Sequence, residues 1–457
     1  MRNPIPWLAA TALACALATG APAAPDPPPA SGGDPAGAPP LSLAEAVARA
    51  TGNAASVQVA ALKTSEAEAR RPQARAALLP SVSGTAFTMD RTFSYKSLGF
   101  TFPSIPGFPT FPARIGPVQQ VDARLRATQS LFDAASWVRL RAAGLNVGVS
   151  RAEAGGSAEG AAQAAALAYV RAARAQAVVA ARLSDLDLAR QLTSLADDQL
   201  KAGTAARIDV VRARTQEAAA QGALLVARNQ ADRAAIELAR ALGLDAGARF
   251  ALTDTLSGTV GSSAAPAGAD AAVAMALERR PELAAERARL ARARAERSAI
   301  RAERLPRLDV NADYGYSGMH TSDALTTRQV SLQASMPIFD GLRREGRVAE
   351  QGAVARESEV RVRDLEQQVA ADVRGAALDL GSGLEQEGVA MERLQLAEEE
   401  LGQARERFSS GVAGNIEIIN AQSSLIRARD AVIDARTATA TARIALARAV
   451  GTARTVR

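Results

Sequence analysis

The sequence predicts a mainly α-helical chain that carries two β-hairpins and is built as a two-fold internal repeat. Each repeat reads as helix, strand, strand, very long helix and returning helix. Three observations predict this fold class. Two pairs of segments alternate apolar and polar residues, long stretches without proline follow each pair, and short motifs recur in the second half in the same order.

The first 23 residues have the three parts of a secretory signal. A basic start is followed by an apolar run too short to span a bilayer and by a small-residue cleavage site. Residues 24–40, rich in proline, alanine and glycine, are expected to form a flexible segment. The alternative is lipid attachment at Cys15, the only cysteine, although the residues before it match that signal poorly.

The first repeat is expected to span residues 41–252. It opens with a helical pattern, which Pro72 is expected to kink or interrupt. A β-hairpin at about 81–131 follows. Its second strand shows the cleanest alternation, whereas the first strand, around Phe87, places Arg91 on its apolar face.

The second repeat is expected at 271–451, after a Gly/Ser/Ala/Pro-rich connector at 253–270 and before a tail at 452–457. Its hairpin, at about 307–338, alternates apolar and polar residues over two runs of roughly ten residues. Runs of this length can cross a membrane as tilted strands with the apolar side outward. The competing interpretation is a half-buried sheet of a soluble domain.

Recurrent motifs support the repeat. The segments that start at Gly203 and Ile236 recur 208 residues later, at Gly411 and Ile444. One shared offset for two separate motifs rarely arises by chance.

Each hairpin leads into a proline-free stretch, which predicts very long helices. Asp133 and Asp340 are predicted to cap these helices, because a carboxylate accepts hydrogen bonds from the free N–H groups of a first turn. The second long helix is expected to end near Ser409 and to reach on the order of 100 Å. Apolar residues seven apart, beginning at Ile418, predict a coiled-coil partner for it.

Four strands from one chain are too few to close a membrane barrel, since the smallest such barrels have about eight. Open sheet edges are not tolerated in lipid. No later stretch holds about eighteen consecutive apolar residues, so a membrane role would have to use these strands. They would then be pooled from two chains, giving about eight strands, or from three, giving about twelve.

The order and duplication of these motifs resemble the TolC-type outer-membrane efflux proteins over essentially all of residues 41–451. The motifs that carry the resemblance are Leu79-Pro80, Leu305-Pro306, Leu131-Phe132-Asp133, Ile338-Phe339-Asp340 and the helix tips at 199–204 and 407–412. The resemblance implies a homotrimer that shares a twelve-stranded β-barrel in the cell outer membrane and a long α-helical barrel in the periplasm. It also implies a periplasmic membrane-fusion adaptor and an inner-membrane transporter of the RND or ABC type as partners.

Three sets of candidate site residues follow. The resemblance implies adaptor contact at the helix tips, where the second tip fits the family pattern better: Leu200, Gly203, Thr204, Arg407, Phe408, Gly411 and Val412. It suggests a periplasmic gate at Glu398, Glu399, Glu400 and Arg405, with a solvated charge run as the alternative. Alternation predicts lipid-facing side chains at Phe87, Val121, Leu125, Leu308, Val310, Tyr314, Val330 and Leu332.

Other function classes are disfavoured. The net charge of +6 comes mostly from arginines interleaved with acidic residues, which is typical of salt-bridged helices rather than of a nucleic-acid surface. His320 is the only histidine, and no phosphate-binding loop motif is present. We therefore expect no enzymatic activity, no cofactor and no His/Cys metal site.

The sequence thus predicts an outer-membrane exit duct for drugs, small toxic compounds or a secreted polypeptide. The alternative is a periplasmic coiled-coil scaffold with a soluble β-sheet. Polar residues of both signs on the inner strand faces, such as Asp122 and Arg124, indicate no ion preference. The Phe/Pro-rich loop at 98–117 is interpreted as packing at the barrel rim, with an external plug or recognition loop as the alternative.

Overall fold

The computed structural model describes residues 39–94, 97, 99, 114–204, 206–256, 260–262, 268–410 and 414–457. Several predicted features lie outside the described residues: the signal segment with Cys15, residues 24–38, most of the Phe/Pro-rich loop, Gly411 and Val412.

Two helices precede the first hairpin. They are α1 (Leu43–Asn53) and α2 (Ala55–Ala76), and they follow the short strand β1 (Pro40–Leu41). Ser42 caps α1, because its hydroxyl accepts from the Glu45 N–H while the Glu45 carboxylate accepts from the Ser42 N–H. The interruption expected at Pro72 is found instead at Ala54, whose extended backbone ends α1, and α2 continues through the proline.

Four antiparallel strands form one sheet. They are β2 (Ser81–Phe93), β3 (Ile115–Phe132), β5 (Arg307–Gly318) and β6 (Leu325–Ser335). The spatial order is β2-β3-β5-β6, so the two hairpins lie side by side and β2 and β6 form the edges. A separate short strand, β4 (Ala251–Leu252), pairs with β1 in parallel.

Each hairpin leads into a long helix and a returning helix. The first pair is α3 (Ala134–Lys201) and α4 (Arg207–Ala241), and the second is α7 (Arg343–Ser409) and α8 (Asn415–Val450). The helices α5 (Ala269–Arg279) and α6 (Pro281–Ala302) lie between the two pairs in sequence. At 68 and 67 residues, α3 and α7 are each about 100 Å long, as expected from their lack of proline. No described helix is both long and apolar enough to cross a lipid bilayer.

The two predicted helix caps have different outcomes. Asp133 caps α3 as predicted, since its carboxylate accepts from the Ser136 N–H at 3.0 Å and from the Ser136 hydroxyl at 2.6 Å. The prediction for Asp340 is wrong. The backbone passes through left-handed conformations at Gly341 and Leu342, so α7 begins only at Arg343. The Asp340 carboxylate instead accepts from the Arg344 guanidinium at 3.0 Å.

The pairing of α7 with α8 has the seven-residue spacing of a coiled coil. Buried residues recur at this interval along both helices: Val369, Ala376, Gly383, Ala390, Ala397 and Ala404 on α7, and Ile418, Leu425, Val432 and Thr439 on α8. This confirms the spacing predicted from Ile418. Small residues dominate the α7 seam, and a Cβ at Gly383 would lie 3.3 Å from the Thr439 hydroxyl. The two helices therefore approach closely at this point.

Helices pack in a row, α2 on α3, α3 on α6 and α6 on α7, with α4 and α8 packed on α3 and α7. The largest buried cluster joins α1, α3, α8 and the chain segments near the tail. Its polar centre is Tyr169, whose hydroxyl accepts from the Asp254 N–H at 3.1 Å and lies 3.0 Å from the Leu41 carbonyl oxygen. The tail is held by buried Glu159, which accepts from the Ala453 N–H at 2.8 Å.

Candidate functional site

The four-stranded sheet has two chemically different faces. Seven of the residues predicted to face lipid share one of them: Val121, Leu125, Leu308, Val310, Tyr314, Val330 and Leu332. Strand pairing places Leu125 opposite Tyr314, and these side chains are 59% and 53% exposed in the single chain. Arg328, opposite Tyr314 on β6, also lies on this face. The face is otherwise rich in apolar residues, and Val330 and Leu332 on it are largely exposed in the single chain.

Phe87 lies on the other face, so the prediction that it shares a side with the seven is wrong. The pairing of β2 with β3 aligns Phe87 with Asp122 and Ala86 with Ala123. Next to Leu125, the apolar face of β2 is formed by Val82, Gly84 and Ala86, while Phe87 and Met89 point to the charged face. The positions of the large apolar side chains in β2 therefore predicted the wrong apolar face. The alignment of β2 with β3 shows which face is apolar.

The charged face is organised by Arg124. Its guanidinium bridges Asp122, with Nε 2.6 Å from Oδ1, and Asp313, with Nη1 2.9 Å from Oδ1. Asp122 is only 2% exposed. Beside this cluster the Thr128 hydroxyl lies 3.1 Å from the Asn311 amide oxygen, across the same two strands. Positive and negative groups are thus paired within this layer.

The end of α3 forms the first helix tip. Gly203 adopts a left-handed backbone with φ of 77°, and the Thr204 N–H then donates to the Gln199 carbonyl at 2.9 Å. A Cβ at Gly203 would meet nothing within 4 Å, so the glycine is required by its backbone conformation rather than by space. Leu200 lies beside it, partly exposed.

The second tip, at the end of α7, has an exposed residue next to a buried one. Phe408 is 5% exposed and packs in a cluster with Leu401 and Ile418, whereas Arg407 is largely exposed. The Arg407 Nε lies 2.9 Å from Glu417 Oε1 at the start of α8. The Gln199 side-chain amide donates to the Phe408 carbonyl at 3.2 Å, so the structure brings the two tips together.

The residues assigned to a gate are not brought together within one chain. Glu398, Glu399 and Glu400 are all exposed, and within the described parts of the chain none of them forms a salt bridge with Arg405. Arg405 instead lines a cleft between α7 and α3, next to Gln191. The physical reason is distance along the helix, since five to seven residues place Arg405 about 7–10 Å from the carboxylates, beyond direct pairing.

A buried ion-pair cluster between α3 and α8 was not predicted. Asp185 on α3 is 2% exposed and accepts from Arg182 at 2.9 Å and from Arg429 on α8 at 3.0 Å. Arg182 also donates to both oxygens of Asp430, at 2.8 and 2.7 Å. Burial lowers the pKa of Arg182, but the hydrogen bonds to Asp430 and Asp185 outweigh it and raise the pKa overall. The partners are 244 positions apart, so local sequence holds no signal for the cluster.

No group of His, Cys, Asp or Glu side chains in the described part of the chain could hold a metal ion. The candidate site residues lie on the two sheet faces and at the two helix tips.

Comparison with known proteins gives one family. A sequence model of the family described as "Outer membrane efflux protein" matches residues 46–244 and 272–452. Among curated proteins, protein CyaE of Bordetella pertussis (strain Tohama I) is 26% identical over 264 residues, which are 56% of this chain and 54% of CyaE. The match thus spans about half the length of this curated relative.

Solved structures show the same fold. The outer-membrane channel OprN has a TM-score of 0.74 at 20% identity, covering 90% of this chain and 89% of OprN. CusC, whose structures concern folding and transmembrane channel formation, has a TM-score of 0.75 at 18% identity, covering 90% and 92%. The outer membrane protein VceC of Vibrio cholerae has a TM-score of 0.72 at 17% identity, covering 90% and 96%. At these identities the likeness establishes the mainly helical, TolC-like fold.

Proposed function

Because the chain belongs to the outer membrane efflux protein family, we propose that it forms the outer-membrane exit duct of a tripartite export system and works as a homotrimer. The observation that carries this proposal is the four-stranded sheet, which has an exposed, mostly apolar face and two edges without a partner among the described residues. Open edges are incompatible with lipid, so the sheet must be completed by other copies.

Strand direction supports completion by identical chains. In an antiparallel sheet of four strands, β2 and β6 run in opposite directions. The β6 edge of one chain can therefore pair with the β2 edge of the next and continue the antiparallel pattern around a ring. Three copies, the number that the resemblance to TolC-type proteins implies, supply about twelve strands.

The helix row supports the same assembly. Its outer members, α2 and α7, carry large apolar side chains that the single chain leaves exposed, among them Leu62, Val360 and Leu378. In a ring of three chains, α7 of one chain would lie beside α2 of the next and could bury these side chains. A long α-helical barrel in the periplasm would result, continuous with the membrane barrel.

The proposed function includes the domain boundaries predicted from the sequence. We assign a signal peptide to 1–23, a flexible segment to 24–40, the two efflux repeats to 41–252 and 271–451, the connector to 253–270 and the tail to 452–457.

The partners and cargo belong to the same proposal. A periplasmic membrane-fusion adaptor would contact the tips at Leu200, Gly203, Thr204, Arg407, Gly411 and Val412, with buried Phe408 supporting the second tip from within. An RND or ABC transporter in the inner membrane would supply energy. The link between Gln199 and Phe408 supports one composite contact surface formed by both tips. The gate at Glu398, Glu399 and Glu400 would form only between chains. Cargo would be drugs, small toxic compounds or a secreted polypeptide.

Native mass spectrometry on protein extracted with detergent from a separated outer-membrane fraction tests the proposal. We expect a species of three protomers that is recovered only with detergent. A water-soluble monomer or dimer in the periplasmic fraction would contradict the duct and favour the periplasmic coiled-coil scaffold.

A further inference from the structure

Two charged residues, Asp90 and Arg328, lie on the apolar face of the sheet among the described strand positions. Side chains alternate along β2, so Asp90 shares a face with Ala86, which is aligned with Ala123. Arg328 lies opposite Tyr314 on the same face. Both charged side chains are exposed, and neither forms an ion pair with any residue that the structure describes. Isolated charges on a face turned to lipid are costly, so their presence requires an explanation.

The two charges are opposite in sign and lie on opposite edges of the sheet. Asp90 is on β2 and Arg328 is on β6, the two outer strands of the order β2-β3-β5-β6. Within one chain three strand spacings, about 14 Å, separate these strands, so the two side chains do not meet. In the proposed ring, β6 of one copy pairs with β2 of the next. This junction between copies is where the two charges can approach each other.

The lengths of the edge strands restrict their alignment at the junction. Successive pairings place Ser81, Thr128, Asn311 and Ser331 at one level across the sheet. Continuing at that level would place Ser81 of the next copy beside Ser331 and leave the end of β6 without a partner. Pairing all of β6 with β2 requires a displacement of four to six residues along the strands. Because side chains alternate, only displacements of four and six keep the apolar faces on one side.

The same displacements agree with the geometry of a closed barrel. Strands in membrane barrels are tilted by about 35–45°, and the tilt requires a fixed stagger around the ring. The rise is about 3.4 Å per residue and neighbouring strands are about 4.8 Å apart. A stagger of four residues for each four-stranded copy then gives a tilt of about 35°, and a stagger of six gives about 47°. The stagger that pairs the two edges is therefore close to the one that closes the barrel.

A displacement of six residues brings the two charges together. Arg328 then lies directly opposite Asp90 of the neighbouring copy, and Leu325 lies opposite Phe93 at the loop ends of the two strands. Leu325 is the one apolar residue of β6 on the charged face, and it is 73% exposed in the single chain. With a displacement of four, Leu325 would lie opposite Arg91, and the two charges would be only diagonal neighbours. The displacement of six matches opposite charges and apolar side chains at once.

We propose that Asp90 and Arg328 form an ion pair between neighbouring copies and fix the register in which β6 joins β2. This inference rests on the proposed function, because it requires that copies of this chain complete the sheet. The ion pair neutralises both charges of the apolar face. Since other registers leave the charges separated, the pair also selects one alignment of two edges whose other apolar-face residues carry no charge.

Disulfide formation in the outer-membrane fraction tests the alignment. The only native cysteine, Cys15, lies in the segment assigned to the signal peptide. Asp90→Cys/Arg328→Cys should give crosslinked dimers and trimers on non-reducing gels, since opposite residues of antiparallel strands have Cα atoms about 4.5–5.5 Å apart. The matched control Asp90→Cys/Leu332→Cys, on the same face but four residues farther along β6, should remain uncrosslinked. Stronger crosslinking in Asp90→Cys/Thr326→Cys would show a displacement of four and overturn the direct pair.

Exchange of the charges tests whether the pair stabilises the assembly. Asp90→Arg and Arg328→Asp each place like charges at the junction, and each should lower the fraction of trimer that survives a fixed heat treatment in detergent by about fivefold. The double variant Asp90→Arg/Arg328→Asp restores opposite charges and should recover the fraction to within about twofold of the unmodified protein. Val82→Arg adds a charge to the same face of β2 far from Arg328, and Arg328→Asp should not rescue it.

Two results would overturn the proposal while the duct stands. One is an unmodified trimer in which Asp90→Cys/Arg328→Cys forms no crosslink. The other is a double exchange that survives heating no better than the single variants, when all are compared at equal amounts in the outer-membrane fraction. Failure of the duct itself is seen separately, as unmodified protein that is monomeric and soluble without detergent.

Discussion

Phe87 on β2 lies directly opposite Asp122 on β3, and the residue before it, Ala86, pairs with Ala123 on the opposite face of the sheet. The aromatic side chain of Phe87 is therefore on the same face as the salt bridges of Arg124, and Val82, Gly84 and Ala86 lie on the side of Leu125 and Tyr314. Since side chains alternate strictly along a strand, a shift of one residue in this register would exchange the two sets.

This register predicts that two neighbouring positions respond differently to the same substitution. Ala86→Arg places a charge on the apolar face and should impair membrane insertion by about 2–4 kcal/mol if the site is near mid-bilayer. Leu125→Arg should act in the same way. Phe87→Arg should insert normally, because its side chain joins the polar layer. The measurement is the amount of each variant in the outer-membrane fraction, and equal loss for Ala86→Arg and Phe87→Arg would contradict the register.

Local sequence predicted the elements well and the pairings between distant residues poorly. The ends of α3 and α7 were expected near Gly203 and Ser409, because glycine and helical periodicity are local signals. The face on which Phe87 lies depends on how β2 is aligned with β3. The sequence shows the charged residues of β3 but not this alignment. The cluster around Asp185 joins residues 244 positions apart, and the start of α7 depends on the backbone at Leu342, a residue type that rarely adopts a left-handed conformation.

At the second helix tip, buried Phe408 is expected to stabilise the fold and exposed Arg407 to contact the partner. Phe408→Ala removes a buried ring from the cluster with Leu401 and Ile418 and should lower the free energy of unfolding of this region by about 3–5 kcal/mol. Arg407→Ala breaks an exposed ion pair with Glu417 and should cost less than about 1 kcal/mol. We nevertheless expect Arg407→Ala to reduce export, measured as drug susceptibility or secretion in cells, at normal protein levels.

A control for the tip is Arg427→Ala on α8, which removes an exposed arginine that donates a hydrogen bond to Ser424. It should leave both export and thermal stability unchanged. Normal export by Arg407→Ala would show that this side chain does not contribute to adaptor contact.

The cluster around Asp185 should stabilise the packing of α3 against α8. Asp185→Asn leaves Arg182 and Arg429 without a buried carboxylate, which should cost about 3 kcal/mol. Asp434→Asn is the matched control, because Asp434 pairs with Arg174 across the same two helices but is largely exposed, and it should cost less than about 1 kcal/mol. Denaturant unfolding followed by circular dichroism compares them, and equal costs would mean that burial of Asp185 contributes nothing.

The ion pair between Glu282 and Arg448 should make stability depend on pH. Glu282 lies at the start of α6 and accepts a hydrogen bond from Arg448 near the end of α8. Burial raises the pKa of Glu282, but the hydrogen bond and charge of Arg448 outweigh it and hold the pKa below the ordinary value of 4.5. A carboxyl group whose pKa is lower in the folded state binds its proton more weakly there than in the unfolded chain. Its contribution is therefore fully present above the ordinary value and is lost as pH falls through the folded pKa.

The measurement for this ion pair is the apparent melting temperature of the unmodified protein and of Glu282→Gln, compared from neutral pH down to pH values well below the ordinary pKa of 4.5. We expect the unmodified protein to be more stable at neutral pH and the difference to vanish in acid, because both proteins then carry an uncharged group at this position. Glu366→Gln breaks a similar pair with Arg287, which is more exposed than Arg448, and it should give a smaller difference at neutral pH. A difference between Glu282→Gln and the unmodified protein that stays constant across this range would show that the Glu282 charge does not stabilise the contact of α6 with α8.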